Sequence, residues 1–172
     1  WGADDSYNGL PYKYTDFFRY ANLTGYDWIV LMDDDTYVFR DRLIKAVAPY
    51  YASLPLAMGR KLDHIAHTQW GIYFSGGAGT VLSRAAYDLL KGYVQATADI
   101  AELVPHWCAD ICIGFWLRKH PQIQQVDHSQ FHPEGIASAV EDLPIAITYH
   151  HLKTWEDYKT CHEIHIRSLE HQ

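Results

Sequence analysis

Residues 28–35 read WIVLMDDD, five apolar side chains in succession followed at once by three aspartates. An apolar run this short fits a strand covered on both faces of an α/β sheet rather than a membrane span. Three adjacent carboxylates repel one another and resist burial, so the chain must meet either water or something positive where the strand ends. In open α/β sheets ligands bind beyond the carboxyl ends of the strands, and Asp33, Asp34 and Asp35 occupy that place. Taken alone, the triplet is better read as a solvated acidic turn.

The flanking sequence supplies the alternation of elements that such a fold needs. Within LPYKYTDFFRYA, residues 10–21, the apolar Leu10, Tyr14, Phe17, Phe18 and Ala21 fall at helical spacing, with Pro11 suited to a first turn and Gly25 placed to end the helix. DRLIKAVAPYYASL reads as a helix that breaks or ends near Pro49. SRAAYDLLKGYVQA reads as a helix with Ser83 as its N-cap, and ADICIGFWLRKH as a further helix stopped by Pro121. AMGRKLD and GIYFSGG read as extended, and QIQQVD and IAITYHH as strands that close the chain. Strands alternating with helices give an α/β architecture.

Size and charge narrow the function. The chain has 172 residues, 48% of them hydrophobic, enough for one core, so residues 1–172 are read as a single domain. A formal net charge of -7, with Lys and Arg scattered, argues against nucleic acid as a partner; an acidic protein that handles phosphate does so more readily through a metal. No apolar run approaches the roughly 20 residues of a membrane span. Cys108, Cys112 and Cys161 lack the paired spacing of a zinc site, and allow at most one internal disulfide. Asn22-Leu23-Thr24 is a glycosylation sequon and points weakly to a secretory lumen.

Two familiar metal or phosphate signatures fail on spacing. Counted from Asp33, an EF-hand loop needs glycine sixth and glutamate twelfth, where this chain has Val38 and Ile44. A haloacid dehalogenase type phosphatase needs a hydroxyl residue two places after its second aspartate, where Tyr37 stands, with Thr36 one place early.

DDDTYV instead resembles the metal-binding signature of nucleotide-sugar glycosyltransferases, specifically the fringe-like family with its mucin-type core galactosyltransferases and related β-1,3-transferases. Four further stretches match in order: DDSYNGLPYK upstream, with Asp5, Ser6, Tyr7, Asn8, Leu10 and Lys13 in register; FSGGAGTVLSRAAYDLL; ADICIGFWL; and FHPEG. The resemblance covers roughly residues 3–152. It implies a GT-A-like fold and a metal-dependent, inverting transfer of a sugar, galactose or an N-acetylhexosamine, from a UDP-sugar to a hydroxyl of a glycan or glycoprotein, in the Golgi lumen. It also implies that the chain, without the first strands that grip the uridine and with any membrane anchor upstream, is the C-terminal part of a longer catalytic domain or else a pared-down relative that binds the nucleotide differently.

The resemblance assigns roles residue by residue. Asp35 is the direct metal ligand and His132, in FHPEG, the second; imidazole beside carboxylate suits Mn2+ better than Mg2+, the second choice. Asp33 and Asp34 face the ribose or metal-bound water, and Lys13 and the Gly76-Gly77-Ala78 backbone lie against the donor. Asp110 is the candidate base that takes the acceptor's proton. Beside it Ala109 stands where the family has a second acid, which keeps open a non-catalytic relative that binds nucleotide sugar or glycan. Without the resemblance, Asp110 reads as a helix N-cap. His150 and His151 are placed as supports for the site rather than as ligands, and Trp70, Tyr73, Trp107 and Trp116 as core or as sugar platforms.

Overall fold

The computed structural model describes residues 6–62, 71–135 and 145–170, so Asp5, Asp63 and Trp70 lie outside the described residues. After a single 3-10 turn at Tyr7–Gly9, the elements run α1 (Leu10–Tyr20), β1 (Trp28–Leu31), β2 (Tyr37–Val38), α2 (Arg40–Val47), β3 (Leu56–Gly59), β4 (Lys61–Leu62), β5 (Tyr73–Phe74), β6 (Thr80–Ser83) and α3 (Arg84–Ala96). There follow α4 (Ile100–Leu103), α5 (Ala109–Lys119), β7 (Gln124–Asp127), β8 (Phe131–His132), β9 (Thr148–Tyr149) and α6 (Trp155–Glu170). The mixed α/β expectation is borne out.

The main sheet has the order β1-β6-β3-β7, antiparallel between β1 and β6 and between β6 and β3, parallel between β3 and β7. Its inner strands β3 and β6 are buried at every position, because helices cover one face and a second layer of apolar side chains covers the other. β1 departs from the expected two-sided burial. It lies at the sheet edge, so Ile29 and Leu31 are buried while Trp28 and Val30 stay partly open. On the helical face Phe18 of α1, Tyr87 and Leu90 of α3 and Trp116 of α5 close over Ile29, Leu31, Ala57 and Leu82. The Phe18 ring stacks on Tyr87 at 5.4 Å and meets Trp116 edge-on at 5.5 Å, a geometry that adds to plain area burial. Leu56, Met58, Val81, Phe131 and Ile147 fill the opposite face.

Local signals explain most of the helix ends. α2 stops at Val47, ahead of Pro49, and α3 starts as expected, with the Ser83 hydroxyl accepting the Ala86 N–H. α1 ends at Tyr20; Gly25, at φ 92°, serves the turn before β1 instead. The closing IAITYHH strand is only Thr148–Tyr149, and the chain goes on into the 16-residue α6, whose one fully buried side chain, Cys161, leaves too narrow an apolar stripe to be read from sequence. The three cysteines are free thiols.

The register brings the motifs together. Leu31 and Gly59 both pair with Thr80, and Gly59 pairs with Asp127, so the residues after β1 and the glycine turn before β6 emerge at one end of the sheet. A small second sheet, β2-β9-β8, pairs Tyr37 with Tyr149 and Tyr149 with His132, which delivers His150 to the same end. α5 can lie close on β5 because of Gly114: a Cβ there would sit 2.5 Å from that of Tyr73, so glycine lets the helix seat Asp110 near the glycine turn.

Candidate active site

A cleft of about 840 Å³ opens at this end of the sheet, lined by Lys13, Asp33, Asp34, Asp35, Gly76, Gly77, Asp110, His150, His151 and Lys153 among others. Its volume falls in the range of sites for small molecules and cofactors. Of the residues given metal, donor or base roles from sequence, Ala78 and His132 are not in its wall, and of the candidate sugar platforms Tyr73 and Trp116 are buried in the core while Trp107 is exposed outside the cleft. Ala78 is fully buried, with its carbonyl accepting the Thr148 hydroxyl at 2.5 Å. The imidazole of His132 stacks on Tyr149 at 4.8 Å, with 15° between the rings.

The aspartate turn is held from three directions. Thr36 donates its hydroxyl to the Gly77 carbonyl at 2.6 Å, tying this turn to the glycine turn. From the C-terminal segment, the Leu152 N–H donates to the Asp35 carbonyl at 3.1 Å and the Tyr158 hydroxyl to the Asp34 carbonyl at 2.9 Å. None of these three supports stood out in the sequence, since each acts on backbone from a distant segment.

His150 has the most constrained place. Its Nδ1 lies 3.1 Å from the Pro133 carbonyl, which can only accept, so that nitrogen is the donor, and Nε2 faces the carboxylates. Nε2 is 3.0 Å from Asp35 Oδ1 and 3.6 Å from Asp33 Oδ2. The His150 N–H also donates to the His132 carbonyl at 3.1 Å. FHPEG thus contributes to the site through its backbone, by seating a different histidine. His151 follows with φ 59°, the one positive φ among the described non-glycine residues, its ring 3.8 Å from that of His150 and its Nδ1 3.9 Å from Asp35 Oδ2. Such a backbone persists only where its surroundings impose it, a pattern concentrated at functional sites.

Asp35, His150 and His151 each bring a ligand atom within 4.8 Å of the others'. Electrostatics separates the aspartates. Burial raises the pKa of Asp33, and the charges of Asp35, Asp110 and Asp34 add to this against the pull of His150. Burial would raise Asp35 as well, but the hydrogen bond from Lys153 and the nearby His150 hold it below the usual carboxylate range. Burial, with the positive charges of His150 and Lys153, lowers His151, favouring a neutral imidazole with a free lone pair.

Asp110 sits in the first turn of α5 rather than at its cap, which is Cys108. A carboxylate there is favoured by the helix dipole. Its Oδ1 accepts the Cys108 thiol at 2.7 Å and its Oδ2 the Gly76 N–H at 3.4 Å. Burial first and Asp110 second push the Cys108 thiol up to about 12, so it stays a donor. Ala109 presents a buried methyl beside it.

Gly77 is fixed by its neighbour, because a Cβ there would run into the His150 ring. Gly77→Ala is therefore expected to displace His150 from Asp35 and, on the reading of Asp35, His150 and His151 as a metal site, to weaken Mn2+ binding by about 10- to 100-fold, as disturbing the support of a metal ligand commonly does. Calorimetric titration with Mn2+ checks this, and unchanged affinity would detach Gly77 from the site.

The sequence profile of the Fringe-like family matches residues 8–165. A curated relative, glycoprotein-N-acetylgalactosamine 3-beta-galactosyltransferase 1 of Xenopus laevis, is 36% identical over 88 residues, covering 49% of this chain. The match spans 24% of that relative's length. The matched span takes in α1, the aspartate turn, the glycine turn, Asp110 and both cleft histidines, and the chain belongs to the Fringe-like family.

Proposed function

We propose that this chain carries the catalytic site of a metal-dependent, inverting glycosyltransferase with a GT-A-like fold. It moves a sugar, galactose or an N-acetylhexosamine, from a UDP-sugar to a hydroxyl of a glycan or glycoprotein, in the Golgi lumen. The observation that carries this reading is the meeting of Asp35, His150 and His151 in the same cleft as Asp110 and the glycine turn. The relative's action on glycoprotein N-acetylgalactosamine supports the donor and acceptor classes.

The residues present suit a divalent ion. Two imidazoles and one carboxylate make a mixed nitrogen and oxygen donor set, which favours Mn2+ over Mg2+. His150, with its Nδ1 already committed to Pro133, is oriented as metal-binding histidines are. In this ligand set His150 and His151 take the place of His132. The ion, when bound, offsets the charge that develops on the diphosphate as it leaves.

The other steps belong to the chain. The backbone of Gly76 and Gly77, free of side chains, lets donor sugar and diphosphate lie close against the cleft wall. Asp33 and Asp34 face the ribose or bound water, and Lys13 adds a positive charge at the donor. Asp110, with Oδ1 engaged by the Cys108 thiol, takes the proton from the acceptor hydroxyl through Oδ2 as that oxygen attacks the anomeric carbon. Ala109, at the place where the family resemblance implies a second acid, favours a second reading, in which the chain binds nucleotide sugar or glycan without turning over.

Calorimetry with UDP tests the metal linkage. Binding is expected in Mn2+ and severely weakened in chelator. Equal affinity in the two would remove the aspartate turn and the histidines from the nucleotide site.

A further inference from the structure

We propose that Lys153 stands in for the cation on Asp35 before the metal binds and then turns to the diphosphate of the donor; this rests on the metal-dependent reading above. The Lys153 ammonium lies 2.6 Å from Asp35 Oδ2, while Oδ1 of the same carboxylate faces His150 Nε2 at 3.0 Å. Both oxygens of the proposed ligand are thus engaged, one of them by a full positive charge. Asp33, Asp34, Asp35 and Asp110 line the same cleft, and the repulsion among their carboxylates favours a cation between them.

The position of Lys153 follows from the chain around it. The Asp157 carboxylate accepts the N–H groups of Lys153 at 3.0 Å and Thr154 at 2.8 Å, fastening the backbone at the start of α6. Leu152 is tied to the Asp35 carbonyl. The stem therefore leaves from a fixed point at the cleft wall, while the side chain itself is 65% exposed and swings without uncovering any core. A divalent ion on Asp35 repels an ammonium on the same carboxylate. A diphosphate on that ion supplies the ammonium with new anionic oxygens, for which lysine is a suitable point charge. Lys153 thereby couples the two ligands: it opposes the metal alone and favours the metal with nucleotide.

The consequence is a pair of effects of opposite sign in Lys153→Met. Mn2+ binding without nucleotide, followed by loss of the free-ion electron paramagnetic resonance signal, is expected to tighten by about 2- to 5-fold, the scale of an exposed ion pair. UDP binding at saturating Mn2+ is expected to weaken by about tenfold, the scale of a hydrogen bond to a charged group. Lys153→Arg keeps the UDP affinity within about twofold, and both variants melt with the wild type because the side chain is exposed. If Lys153→Met binds Mn2+ no more tightly, or holds UDP as well as the wild type, the proposal is overturned while the metal reading stands. If the wild-type chain itself binds no Mn2+, the metal reading falls and takes this proposal with it.

Discussion

Asp110→Asn is expected to lower turnover by about 10²- to 10⁴-fold, the usual worth of a general base, with little change in melting temperature or in UDP affinity. Asparagine keeps the volume and an oxygen that can still accept from Cys108 or Gly76, the contacts that hold the side chain at the start of α5. Because Cys108 caps the helix, the loss of charge at the second helical residue removes only a favourable dipole interaction, worth about 0.3–1 kcal/mol. What disappears is the ability to accept a proton. Near-normal turnover would leave this site, with Ala109 alongside, without a proton acceptor.

Asp35→Asn is expected to reduce turnover by about 10²-fold or more, since a Lewis acid at the leaving group supplies several kcal/mol and each 1.36 kcal/mol is a factor of ten. UDP affinity in Mn2+ should fall toward its value in chelator. The fold should survive, because the lost pair with Lys153 is largely exposed and the Asp35 backbone remains held by Leu152. A large drop in melting temperature with metal binding preserved would show instead that the carboxylate serves the fold.

The comparison of His132 with His150 shows how far the sequence could be read. WIVLMDDD announced a strand and a polar turn because both signals are local: an apolar run and a charge cluster. Ser83 as N-cap and the stop ahead of Pro49 are local as well. Which histidine reaches Asp35 depends on a pairing between segments more than 100 residues apart, β2 with β9, and no spacing rule encodes that. FHPEG carried the stronger motif, yet its work is done by two carbonyls, at His132 and Pro133, that hold His150. The signal for His150 was nevertheless present. IAITYHH, like WIVLMDDD, runs from a largely apolar stretch straight into residues whose side chains can ligate a metal.

Other differences have the same origin. The apolar run of β1 looks identical whether the strand is central or at an edge, and only the order β1-β6-β3-β7 decides. α6 has no sequence signature because charged residues and histidines make up half of it, and its polar side chains serve contacts to other elements: Tyr158 to Asp34, and His165 to Asp41 at 2.6 Å. Ala78 was grouped with the glycines by position in the motif, but its methyl fills the core while Gly77 alone makes room for a ring.

The central claim is that this cleft transfers sugar from a nucleotide donor with the help of a metal. The direct measurement is UDP release from a series of UDP-sugars by the purified chain, with glycan acceptor, in Mn2+ and in chelator. The account predicts release in Mn2+, its loss in chelator, and a fall of at least about 100-fold in Asp110→Asn. Release at the same rate in chelator, or tight donor binding with no release from any UDP-sugar, would contradict it.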